Sequence, residues 1–308
     1  MTSQYQMISE IGDRLKSYRL GAGLTPEEVA KETGISVASL YRYESGQPIR
    51  VDALGKLADL LDVSLASLFG VGSENISSAV TFFERLRQIE AEADQITVLF
   101  GPVPYLLTTD KYDELLPQVL LESVPETAAN REGLESSISQ LVDILKRRKL
   151  AFKARRPNII GLISASELEQ FVHLGFVGNT NLHSDEASLR KAAAVYEIQN
   201  ILSLVQEQPI GMQIGVVQDS MPSTCFQILR KGANAQVAIS PFRLGSSANV
   251  RIGVATITAA DETVKLHQSV TESLWKHSLK GEAAVKVLKS LLQGNSSSQK
   301  HSKNGAQR

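Results

Sequence analysis

The sequence predicts a two-part chain. Residues 1–70 read as an all-α unit built around a helix-turn-helix, and residues 96–293 as an α/β domain with a mixed sheet. Three observations carry this. Apolar residues recur at helical spacing through 11–46, interrupted twice by glycine. From residue 96 onward, short apolar runs alternate with longer helical patterns, the texture of an α/β domain. A length of 308 residues is also too great for one small helical unit, and 43% hydrophobic content is ample for packed cores.

In chain order, residues 1–9 read as a short arm, and the first helix carries Leu15 and Tyr18 inward. Thr25-Pro26-Glu27-Glu28 then forms a capping box with proline at the first helical position. The short helix that follows buries Val29 and Ala30 and ends at Thr33-Gly34, where glycine suits a left-handed exit. Ser36 caps the next helix, which runs through Leu40 to about Glu44. Helix, glycine turn and second helix are the sequence form of a helix-turn-helix.

Residues 11–69 resemble the DNA-binding domain of the XRE, or lambda-repressor-like, regulators. The matching positions are Arg14, Leu15, Lys16 and Arg19, then Gly23-Leu24-Thr25, Val29-Ala30 and Gly34-Ile35-Ser36. Leu40, Arg42, Glu44 and Gly46 continue the register, as do Leu54-Gly55-Lys56-Leu57-Ala58, Leu61, Val63-Ser64 and Leu68-Phe69. The resemblance implies a five-helix domain, a partly buried Arg19–Glu44 ion pair that sets the angle of the recognition helix, and double-stranded DNA as partner. It places Val37, Ala38, Ser39, Tyr41 and Arg42 on the exposed face of that helix, with Arg42 suited to guanine O6 and N7. Thr25, Ser36, Ser45, Gln47 and Arg50 fall where relatives approach the DNA, the last three on the phosphate side.

Charge argues less simply. The whole chain has a formal net charge of −1. Residues 1–70 hold seven basic side chains (Arg14, Lys16, Arg19, Lys31, Arg42, Arg50, Lys56) against nine acidic ones, a net of −2. DNA-binding domains usually carry a basic excess. Weak binding per monomer is therefore expected, which argues for a homodimer. The same count leaves open a helical interaction module, such as an antitoxin-like regulator whose second domain docks another protein.

Gly70-Val71-Gly72-Ser73 reads as the start of a linker, with a connecting helix completing 71–95. Phe82, Leu86, Ile89 and Ala93 form a narrow apolar seam on that helix, fit either to pack on the chain's own second domain or to dimerise. Strand candidates follow at 96–100, 158–164, 211–217, 224–229, 235–239 and 250–258, and helix candidates at 112–121, 131–150, 166–174, 186–207, 262–278 and 281–292. Residues 294–308 are rich in Ser, Lys and Asn and read as a disordered tail.

The second part resembles, more weakly, the sensor-like domains behind XRE-type DNA-binding domains, some of which look like remnants of the phospholipase D fold. The similarity rests on the strand ending at Thr258, Thr263-Val264, Leu274-Trp275 and Ser278-Leu279. That family's His-x-Lys signature is missing at His173, His183, His267 and His277, and no phosphate loop or nucleophile–base pair is apparent, so no enzyme activity is expected. The single cysteine, Cys225, excludes an internal disulfide and a cysteine-rich zinc site, and no metal or cofactor is expected. With no signal segment or membrane-spanning run, the chain reads as soluble and cytoplasmic. The basic run Lys146-Arg147-Arg148-Lys149, continued by Lys153, Arg155 and Arg156, suits a solvated helix end. Arg155 and Arg156 lead into a core strand and are candidates for an anionic effector or flanking DNA. The resulting expectation is a dimeric transcriptional regulator modulated by a small molecule or protein.

Overall fold

The computed structural model describes residues 2–99, 101–128, 130–178 and 183–305. Five helices open the chain: α1 (Thr2–Gly21), α2 (Pro26–Thr33), α3 (Val37–Glu44), α4 (Val51–Leu60) and α5 (Leu65–Phe69). The expected arm is helical from Thr2, and Met1 lies outside the described residues. Leu15, Val29, Leu40, Leu57 and Leu68 are all fully buried and draw the five helices round one core. Glu28 closes the predicted capping box: its backbone N–H donates to Thr25 Oγ1 at 3.2 Å, and Thr25 N donates to Glu28 Oε2 at 2.7 Å. Gly34 ends α2 at φ 72°, a conformation a side chain would strain.

The second part is a seven-stranded mixed sheet. Its strands are β1 (Ser73–Ile76), β2 (Gln95–Leu99), β3 (Asn158–Ser164), β4 (Met212–Val217), β5 (Cys225–Lys231), β6 (Asn234–Ser240) and β7 (Ala255–Thr258), in the order β1-β7-β6-β5-β2-β3-β4. β2, β3 and β4 are parallel, and the other pairings are antiparallel. The parallel half needs helical crossovers. α7 (Asp110–Glu122) and α8 (Arg131–Arg155) join β2 to β3, and α9 (Ala165–Leu174) and α10 (Ser184–Glu207) join β3 to β4. α11 (Asp261–His277) and α12 (Gly281–Gly305) complete the chain.

Strand alternation sends side chains to two apolar clusters. One runs without a break from Leu15 and Leu57 through Phe82 to Ile96, Ile159 and Leu288. The other, on the opposite face, joins Leu99, Leu162, Phe226 and Val237 to Val264 of α11.

Three expectations change. Part of the linker, Ser73–Ile76, is the edge strand β1, paired with β7 in register Ser73↔Thr258 to Ile76↔Ala255. Four residues carry too little periodicity to announce a strand, and β7 supplies the ladder. α6 (Ala79–Glu90) stops short of residue 95 because Gln95 already belongs to β2. Its seam is covered within the chain: Phe82, Leu86 and Ala93 are at most 1% exposed, and α6 lies between α1 and α8. The seam is therefore not a free dimer surface. Finally, α12 continues through the expected tail to Gly305, with 306–308 outside the described residues. No proline interrupts it, and extending an anchored helix needs no new nucleus.

Candidate nucleic-acid interface

α3 is held at both ends. Ser36 Oγ accepts from Ser39 N at 3.2 Å and starts the helix. At the other end Glu44 is clamped by Arg19 of α1: Nε donates to Oε1 at 2.5 Å and Nη2 to Oε2 at 2.9 Å. Both side chains are under 10% exposed, and Arg19 Nη1 also donates to the Leu24 carbonyl at 2.9 Å. This is the ion pair expected from the resemblance. Gly12 lets α1 approach α3 directly, since a Cβ there would stand 2.4 Å from the Tyr43 carbonyl oxygen.

The outward face of this clamped helix carries the residues singled out from sequence. Ser36, Ala38, Tyr41, Arg42, Ser45 and Gln47 are exposed, while Val37 and Ser39 are half-buried. Leu40 packs inward at 0% exposure, and Tyr43 packs against the core from a half-buried position. Tyr41, 55% exposed, is the large aromatic of the face. Arg42 Nε donates to Gln47 Oε1 at 2.9 Å, which aligns the guanidinium and leaves both Nη groups for an outside acceptor. Ser45 Oγ donates to the Arg42 carbonyl at 2.8 Å. Thr25 is exposed at the start of α2.

Two acidic groups temper this surface. Glu28 sits at the α2 N-terminus, where an incoming phosphate would otherwise find free amides. The Thr25 backbone N–H holds its carboxyl below the usual range, so it stays charged. Arg50 is exposed after α3 but is bonded by Asp52, Nε to Oδ1 at 3.0 Å and Nη2 to Oδ2 at 3.2 Å. That bond holds the Asp52 carboxyl low, so a phosphate reaching Arg50 has to compete with a carboxylate.

The basic run of α8 is divided by its helical phase. Lys146 and Arg147 are exposed, but Arg148 and Lys149 are 2–3% exposed. Arg148 forks onto Glu90 of α6 at 2.7 and 2.9 Å, and Lys149 Nζ donates to Asp113 at 2.7 Å and to the Thr109 carbonyl at 3.0 Å. Half of the expected solvated run is thus interior, since a 25-residue helix turns part of any continuous charge run toward its neighbours. Arg155 and Arg156 do different work. Arg155 Nη1 donates to the carbonyls of Glu90 and Ala91, tying α8 to the end of α6. Arg156 caps α8 in the left-handed conformation at φ 50° and is exposed. The Arg155 guanidinium is thus already engaged by backbone carbonyls.

Sequence reasoning missed the polar joint between the two parts. Glu74 of β1 lies between two arginines: Arg14 Nε donates to its Oε1 at 2.8 Å, and Arg85 of α6 donates to Oε1 and Oε2 at 2.9 Å each. All three residues are at most 5% exposed. Burial alone would push the Glu74 carboxyl up, but Arg85 and then Arg14 outweigh it and hold the carboxyl low. No local signal marked this cluster, because its members come from three separate elements. Beyond the carboxyl end of β2, a cavity of about 20 Å³ is lined by Arg148, Gln227, Phe83 and Phe242. It has the size of a water site rather than a metabolite site.

Among the described residues no group of three or more His, Cys, Asp or Glu is placed to hold a metal ion. Among them, too, no helix is long and apolar enough to cross a membrane. Cys225 is half-buried, and burial pushes its thiol up.

Comparison with known proteins agrees with the N-terminal geometry. The family described as "Helix-turn-helix domain" matches residues 10–68, a stretch from within α1 to within α5. No curated protein matches the chain. Among solved structures, the chain is similar to TrmBL2, described as an archaeal chromatin protein that shows a novel mode of DNA binding. The identity is 12%, over 86% of this chain and 91% of that one, at a TM-score of 0.30. A likeness at that level decides neither fold nor function.

Proposed function

We propose that this protein is a sequence-specific DNA-binding transcriptional regulator that lays α3 in the major groove and is modulated through its sheet domain. The observation that carries the reading is the clamped recognition helix. Arg19–Glu44 and the Gly12 contact fix its angle, and its outward face offers Arg42, Tyr41, Ala38 and Ser39. In helix-turn-helix docking the N-terminal part of such a helix meets base edges. Arg42 reads a guanine through its Nη groups, and Gln47 keeps it aligned. Ser45, Thr25 and Arg50 flank the helix on the phosphate side.

The local net charge of −2 gives a single unit weak purchase on the phosphate backbone. Two units on one operator supply what one lacks. The functional species is accordingly a homodimer on half-sites roughly 34–36 Å apart, or a multiple of that. Its contact surface is not the α6 seam, which is buried in the chain.

Selection of bound sequences from a random duplex pool, with the full-length protein, tests the reading. A palindromic consensus is the expected result. The acidic surface, with Glu28 on the α2 amides and Asp52 on Arg50, favours a second reading: an interaction regulator that docks another protein. No enrichment of any sequence, together with a stable complex with a neighbouring gene's product, would replace the first reading by the second.

A further inference from the structure

We infer that the outer flank of α11 is a homodimer surface, and that its partner is the same helix of a second copy of this chain, running antiparallel. The inference deepens the homodimer reading of the proposed function and rests on it.

α11 packs on β4, β5 and β6 and gives Val264, Leu274 and Trp275 to the second apolar cluster. Its remaining residues divide by helical phase, at about 100° per residue. Asp261, Lys265 and Gln268 fall on one flank and line a cleft of about 750 Å³ that α1 also borders. Asp261 and Lys265 are bonded to each other there. The other flank carries Thr263, Leu266, Val270, Ser273 and His277, spaced alternately three and four residues apart. That is the spacing at which two helices stay in contact along their length. Leu266 is 61% exposed and Val270 42%, so the apolar part of this seam is open. It lies away from the cleft and from the helical unit behind it.

Charge decides what covers it. Glu262 borders the seam near its start and Lys276 near its end. Both are exposed, and neither has an ion-pair partner among the described residues. A two-fold axis through Val270 sets that residue on its own copy, Leu266 against the partner's Leu274, and Glu262 beside the partner's Lys276. A parallel pair would instead bring Glu262 to Glu262 and Lys276 to Lys276. Antiparallel helix dipoles also attract. The contact is therefore self-complementary and closes at two copies. Among the described helices, Leu65 and Phe69 of α5 are the other exposed large apolar pair at four-residue spacing. That helix is five residues long and has no charged residue to set a register. From Thr263 to His277 the α11 strip is about 21 Å long and one helix, about 10 Å, wide. It is small beside a standard interface of roughly 800 Å² per partner, so dissociation in the micromolar range is expected.

Sedimentation of the full chain without DNA, over a range of concentrations, tests the surface. The wild type should dimerise. Val270→Asp, which sets two carboxylates on the axis, should bind its copy at least tenfold more weakly with an unchanged melting temperature. Glu262→Lys and Lys276→Glu should each weaken the dimer roughly threefold, and the two changes together should restore it. The charge variants carry the test if Val270→Asp fails to fold. Unchanged dimerisation of Val270→Asp overturns the surface and leaves the homodimer reading to another face. No recovery in the double variant overturns the antiparallel register. A monomeric wild type overturns both the surface and the homodimer. Selection from the random duplex pool separates the remaining case: a dimer lost in Val270→Asp, with no sequence enriched by the wild type, leaves the surface standing and sinks the regulator reading.

Discussion

Arg14 and Arg19 lie five residues apart on the same helix, both buried and both bonded to a glutamate, yet they hold different things. Arg19 reaches Glu44, 25 residues on, and fixes α3 within the helix-turn-helix unit. Arg14 reaches Glu74, 60 residues on, in a strand that exists only because β7 pairs with it. The first bond sets how α3 is presented. The second, with Arg85, sets how the whole unit is seated on the sheet domain. Buried ion pairs of this kind define geometry more reliably than they add stability, because desolvation offsets much of the attraction. Removing one partner is another matter, since the other charge stays buried alone.

That asymmetry gives the largest expected effect. Glu74→Ala strands two buried guanidiniums and should destabilise the chain by about 3–5 kcal/mol in urea unfolding. Glu44→Ala strands one, and Arg19 keeps its bond to the Leu24 carbonyl, so a smaller loss is expected. Equal losses would mean that the joint is no more tightly coupled than the motif.

Acid sharpens the same comparison. The folded Glu74 carboxyl titrates below its ordinary value, so its stabilisation is fully present above about pH 4.3 and is lost as pH falls through the folded value. The wild type should therefore lose stability more steeply than Glu74→Gln on the acid side of that point. Parallel curves for the two proteins would remove Glu74 from the account.

The next effect belongs to recognition. Arg42→Ala should lose about 1–3 kcal/mol of discrimination at one base pair. Binding to a randomised operator library reads it, and an unchanged base preference would count against the Arg42 contact. The smallest effect is that of Arg50→Ala. It should weaken binding evenly across sequences and lower the salt slope by about one or less, because Asp52 already competes for the guanidinium. A sequence-dependent loss on titrating salt would move Arg50 from phosphate to base.

The helical unit was legible because its signals are local. The Thr25–Glu28 capping box, the Gly34 exit and the Ser36 cap are each made by residues within a few positions of one another. The longer strands were equally readable as apolar runs, and 158–164 coincides with β3. The stretch 250–258 was only half right, since β7 starts at Ala255 and the preceding residues are irregular around Gly253, at φ 143°. The outward face of α3 could be named because the resemblance singled out this helix and its period separates Leu40 from Tyr41 and Arg42.

The sequence by itself determined most of the helices and the longer strands, and the period that leaves one face of α3 free. Those properties follow from caps, glycines and periodicity acting over fewer than about ten residues. Only the tertiary structure decided that Ser73–Ile76 is a strand, that the α6 seam is core, and that Arg148 and Lys149 are interior. It also decided that Arg14, Glu74 and Arg85 meet beside a cleft. Each of these depends on a partner tens of residues away. A charged or apolar side chain looks the same in sequence whether water or another element of the chain will cover it.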